Sequence, residues 1–63
     1  MTTGEKLKML RGKESQSVTA AAIGITKSSL SMYELDQRTP NDKAKVKIAR
    51  YFGKTVGELF FSE

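Results

Sequence analysis

The chain contains no cysteine and no histidine. Without cysteine no disulfide can staple the fold, a usage that suits a reducing, intracellular setting. Without either residue the usual ligand sets for structural zinc are missing. Most general acid–base and nucleophilic schemes also lose their commonest group. The carboxylates, Tyr33, Tyr51 and the serines form no paired constellation, so neither an enzyme nor a metal or cofactor is expected. Long apolar runs are lacking too. No stretch approaches the roughly 20 residues that span a bilayer, and the N-terminus lacks the apolar segment of a secretory signal. The expectation is a soluble, cytoplasmic protein with no membrane partner and no small-molecule substrate.

Acidic residues are scarce where basic ones gather. Arg38, Lys43, Lys45, Lys47, Arg50 and Lys54 are set against Asp42 alone between residues 38 and 54. With a net charge of +4, this distribution favours an acidic partner. A solvated lysine face satisfies the same pattern equally well. Sixty-three residues make one small domain, 1–63, and such a chain buries only about 60% of its unfolded surface. Compact helix packing, with or without a second copy, has to supply the stability.

Helical periodicity dominates the chain, and no segment alternates convincingly with period two. The pattern predicts an all-α domain of five helices, at about 4–11, 16–23, 27–35, 42–52 and 56–61. The first turns Leu7, Leu10 and Met9 inward and stops at Gly12. Ser15 caps the second, and Gly24 supplies the left-handed residue that ends it. Thr26 caps the third, which Pro40 prevents from continuing through the following loop. Asn41 caps the fourth, whose inward stripe is Ala44, Ile48, Ala49 and Phe52, and Gly53 ends it. Thr55 and Glu58 form a capping box before the last helix.

The second and third helices carry the functional signal. Ala20 is small enough to let two helices approach, Gly24 makes the turn between them, and Leu30 and Tyr33 wedge them against the core. The stretch SQSVTAAAIGITKSSLSMYELDQRTP, followed without a gap by KIARYFGKTVGELF, resembles the lambda repressor/Cro family of phage-type regulators. The likeness covers about Ser15 to Phe61. It rests on Ser15-Gln16, Ala20, Gly24, Leu30, Glu34, Arg38, Pro40, Ile48-Ala49, Gly53 and Glu58-Leu59-Phe60 taken together.

The chain departs from that family at three places. Thr19 stands where an apolar residue is usual, with Val18 one position early. Leu35-Asp36 replaces a frequent Asn-Gly. The turn RGKESQ is about two residues short, counted from the arginine that the family often pairs with the glutamate closing helix 3. Arg11 reaching Glu34, and a solvated Arg11 with Glu34 facing the loop, are both compatible with that spacing.

Helix 3 itself divides into two faces. At about 100° per residue, Lys27, Ser31, Ser28 and Met32 fall within one outward sector of about 140°, with Leu30 and Tyr33 opposite. Short hydroxyls, one cation and one flexible apolar chain suit close approach to base edges. Serine serves either base type, lysine prefers guanine O6/N7, and an apolar chain can touch a thymine methyl. An exposed face that merely tolerates serine has the same composition.

The resemblance implies a compact lambda-repressor-like domain with its helix-turn-helix at helices 2 and 3. It implies a sequence-specific regulator of double-stranded DNA, a phage or prophage repressor or Cro-like protein acting by operator occlusion. Lys27, Ser28, Ser31 and Met32 are then the base-reading residues, and Gln16, Arg38, Thr39, Asn41 and Lys43 meet phosphates. Lys45, Lys47 and Arg50 are expected to be solvated. Exposed Phe61 is the candidate for a homodimer contact on a palindromic operator, although folding back onto its own core would satisfy it too. The chain fits either a complete Cro-like protein or the reader of a longer repressor. The alternative is an antitoxin-like protein-interaction module on the same fold. An RNA-binding module is weaker, because Tyr33, Phe52 and Phe60 read as core rather than stacking platforms.

Overall fold

A capping box opens the first helix. Thr2 Oγ1 accepts from the Glu5 N–H at 3.1 Å, and Glu5 Oε1 accepts from the Thr2 N–H at 2.8 Å. The helix α1 therefore spans Thr3–Arg11, one residue earlier than its sequence pattern suggests. It is followed by α2 (Gln16–Ile23), α3 (Lys27–Glu34), α4 (Asp42–Phe52) and α5 (Gly57–Phe61). The computed structural model describes residues 1–61, and among these there is no strand. The expected single domain 1–63 extends two residues beyond them.

Each helix start is fixed by a side-chain oxygen. Ser15, Thr26 and Asn41 accept from the N–H three residues on, at 3.1, 3.0 and 2.8 Å. Thr55 and Glu58 complete the second capping box, at 2.8 and 3.1 Å. The segment it opens is a wider, π-type turn rather than an α-helix. Leu59 plugs the core from this turn, Phe60 is half-buried and Phe61 stands out.

The core gathers Leu7, Ile23, Tyr33, Ile48, Ala49 and Leu59, with Leu10, Ile25, Phe52, Val56 and Phe60 packed against it. Met9 is not part of it. At 61% exposed it corrects the inward assignment, because two residues past Leu7 is about 200° around the helix.

The loop after α3 closes back on α1. Asp36 takes a left-handed backbone at φ 58°, a region that aspartate tolerates better than most residues. From there its Oδ1 accepts from the Gly4 N–H at 2.9 Å, so one loop residue caps a helix 32 positions away. Donors from Thr2 and Gly4 hold this carboxyl below its usual range. Stability from it is therefore present above the unfolded pKa and lost as pH falls through the folded one. Asp36→Ala should lower Tm by about 5 °C, and Asp36→Asn, which keeps the acceptor and tolerates the conformation, by much less. Equal losses in thermal melts would contradict the capping role.

Candidate nucleic-acid interface

The α2–turn–α3 unit is held by its own backbone before any tertiary contact. Gly24, at φ 94°, ends α2 in the left-handed region, and the Gly24 and Ile25 N–H groups both donate to the Ala20 carbonyl, at 2.9 and 3.0 Å. Ala20 is buried between the helices, consistent with the need for a small residue there. Thr26 Oγ1 also donates to Ser29 Oγ at 2.9 Å, reinforcing the first turn of α3.

Thr19, the departure from the usual apolar residue, is fully buried while Val18 is exposed. Its hydroxyl is satisfied by donating to Glu14 Oε1 at 2.5 Å. The same oxygen accepts from the Tyr51 hydroxyl at 2.8 Å. These two donors hold the Glu14 carboxyl below its usual range. Glu14 thus ties the α1–α2 turn to both α2 and α4.

The inner end of α3 is anchored by charge. Arg11 Nε donates to Glu34 Oε2 at 2.7 Å and Nη2 to Oε1 at 3.1 Å, a bidentate pair whose side chains are 14% and 3% exposed. The short turn does not prevent this contact, because Gly12 leaves the helix at positive φ and Arg11 Nη1 donates to the Glu14 carbonyl at 2.6 Å. Gln16 Nε2 adds a third donor to Glu34 Oε1 at 3.0 Å. One carboxylate therefore joins α1, α2 and α3.

Outward, Lys27 and Ser28 are exposed and Ser31 and Met32 half-buried. Together with Gln16 they border one shallow depression of about 460 Å³. The side chains of Lys27, Ser28, Ser31 and Met32 make no hydrogen bond among the described residues, so their donors and acceptors are available to a ligand. Gln16, placed by the resemblance at a phosphate, already commits one amide hydrogen to Glu34 and keeps a second.

Arg38, Thr39, Asn41 and Lys43 all lie exposed in or just after the α3–α4 loop. Asn41 Oδ1 is committed to capping α4, which leaves its amide nitrogen as the group that can donate. Lys45 is not simply solvated, as the charge pattern suggests. Its Nζ stands 4.8 Å from the Phe61 ring centroid and 5.8 Å from that of Phe60, a cation–π arrangement. Phe61 remains 67% exposed beneath it.

Three contributors escape sequence reasoning. Glu14 acts through Tyr51, 37 positions away, and no local signal marks it. Asp36 substitutes for the glycine frequent in the resembled family, and Lys45 depends on where the last turn places two rings. No helix among the described residues is long and apolar enough to cross a membrane, and they hold no cluster of groups suited to a metal ion.

A helix-turn-helix family model matches residues 7–59. No curated protein and no solved structure gives a match. That span takes in the second half of α1, all of α2 to α4, the Arg11–Glu34 pair and the whole outward face of α3. The chain belongs to the helix-turn-helix family of Cro/C1 type, whose members are DNA-binding domains of transcription regulators.

Proposed function

We propose that this domain lays α3 in the major groove and reads sequence there as a homodimer on a palindromic operator. It acts in the cytoplasm as a phage or prophage repressor or Cro-like protein that occludes its site. The observation that carries this reading is the convergence of the Lys27, Ser28, Ser31 and Met32 side chains, without hydrogen bonds among the described residues, around one depression on a helix anchored at Glu34. Arg38, Thr39, Asn41, Lys43 and the second Gln16 amide hydrogen supply phosphate contacts that set register without reading bases. The exposed Phe61 supports a self-contact, and two half-sites would then lie about 34 Å apart.

Selection of bound duplexes from a random pool tests target, symmetry and spacing together. Lys27→Ala and Ser28→Ala should each cost about 1–3 kcal/mol at particular base pairs. Arg38→Ala should weaken all sites alike and flatten the salt dependence by about one unit per protomer, from a dimer slope of roughly −5. A Ser28→Ala loss that is the same on every duplex would remove that residue from sequence reading. Failure to retard any duplex would favour the protein-interaction alternative.

A further inference from the structure

Behind the α3–α4 loop, on the side of α3 away from the outward face, lies a pocket of about 190 Å³. It is more enclosed than the depression along the recognition face. Tyr33 lines it and is only 7% exposed. Its hydroxyl makes no hydrogen bond among the described residues, yet the oxygen is not sealed from solvent space. A buried O–H generally finds a partner within the protein, and this solvent-touching hydroxyl is left to water or a ligand.

The other walls define what fits. Pro40 and Phe60 provide apolar surfaces, and Arg38 and Lys45 bring two cations. Asp36 brings one negative charge, its Oδ1 turned to the Gly4 N–H, and two cations against one carboxylate leave the lining net positive. Thr3 Oγ1 donates to the Leu59 carbonyl at 3.3 Å and retains its capacity to accept. The space corresponds to about six water molecules, and a cavity of about 150 Å³ already admits benzene.

We propose that this pocket binds a small organic carboxylate of about benzoate size. Its carboxylate meets Arg38 and Lys45, its apolar body lies between Pro40 and Phe60, and the Tyr33 hydroxyl completes the contact. A ligand with so few atoms binds with a dissociation constant on the order of 1 mM. Such an occupant would draw Arg38 away from DNA phosphate. That consequence rests on the DNA-binding reading above, whereas the pocket itself does not.

The test is a titration of the isotope-labelled protein with sodium benzoate at constant ionic strength, followed through backbone amide shifts. Saturable shifts confined to Thr3, Tyr33, Asp36, Arg38, Lys45 and Phe60 and their chain neighbours support the site. Benzyl alcohol and inorganic phosphate should bind at least tenfold more weakly. Tyr33→Phe should weaken benzoate about tenfold while leaving Tm unchanged, because the hydroxyl has no internal partner to lose. Arg38→Ala should weaken it further. The proposal is overturned by shifts that grow linearly without saturation or spread over Lys8, Lys13 and Lys47. Equal binding of benzyl alcohol or phosphate, or full benzoate affinity in Tyr33→Phe, overturns it as well. Benzoate-dependent loss of DNA retardation tests the coupling separately, and its absence alongside saturable shifts leaves the pocket established and removes the competition for Arg38.

Discussion

Replacing Arg11 by alanine should destabilise the domain by about 3 kcal/mol and reverse how its stability responds to acid. Removing one partner of a buried ion pair leaves the other charge uncompensated, at a cost of about 3–5 kcal/mol. The lower end applies because the Arg11 side chain keeps some contact with water. The pH dependence is the sharper signature. In the native protein, burial pushes the Glu34 carboxyl up, but hydrogen bonds from Arg11 and Gln16 and the positive charges of Arg11 and Lys8 outweigh it. The net result is a carboxyl held below its usual range. Its contribution is present above the unfolded value of about 4.3 and is lost as pH falls through the folded one.

In Arg11→Ala the burial remains and the strongest opposing donor is gone, so the Glu34 carboxyl rises above its ordinary value. Its contribution is then full below the unfolded pKa and is lost as pH rises through the folded one. Denaturant unfolding near neutral pH and near pH 4 checks this directly. The gap between the two proteins should narrow on acidification. A gap that stays constant would mean that Arg11 stabilises through its packing and its bond to the Glu14 carbonyl instead. Arg11→Met, which keeps most of the apolar stem, separates those two contributions.

Gly4→Ala is expected to cost about 3 kcal/mol, although alanine normally improves a helix by about 1 kcal/mol over glycine. A Cβ at this position would collide with the Glu34 carbonyl oxygen and lie 2.7 Å from the Glu34 carbonyl carbon and 2.8 Å from the Tyr33 carbonyl oxygen. These are backbone atoms at the end of α3 and cannot swing aside as a flexible side chain would. The strain goes either into separating α1 from α3 or into tilting α3, and overpacking of this kind costs about 1–3 kcal/mol or more. Gly57→Ala is the matched control. There the nearest atom is Thr55 Oγ1 at 3.8 Å and the backbone is not left-handed, so the change should stay within about 0.5 kcal/mol. If the two glycines respond alike in denaturant midpoint, close packing of α1 on α3 is not what Gly4 serves.

These two residues also mark where sequence reasoning stops. Caps at Ser15, Thr26, Asn41 and Thr55 are legible because donor and acceptor lie three residues apart, within one turn. Thr2 and Glu5 carry that same local signal, and its presence is why α1 begins at Thr3. The outward grouping of Lys27, Ser28, Ser31 and Met32 follows from helical period alone. Gly4 has no such signature, since its constraint comes from α3 folding back over it. The Arg11–Glu34 contact stays open in the sequence because loop length does not say how far an extended guanidinium reaches. Met9 misleads because apolar identity alone says nothing of its angle on the helix. Thr19 looks like a defect in an apolar stripe until Glu14 and Tyr51 are brought beside it.

The division of α3 between an anchored side and an uncommitted one has a consequence for change over time. Leu30, Tyr33 and Glu34 hold the helix through packing and ion pairing, whereas the side chains of Lys27, Ser28, Ser31 and Met32 contribute no hydrogen bond among the described residues. Surface substitutions of this kind usually move stability by no more than about 0.5 kcal/mol. With these four as the proposed base readers, target preference would be open to drift, or to rewriting by grafting four residues, while folding is left almost untouched. On that proposed reading the domain is a scaffold on which new specificities would be selected one residue at a time, each intermediate remaining folded.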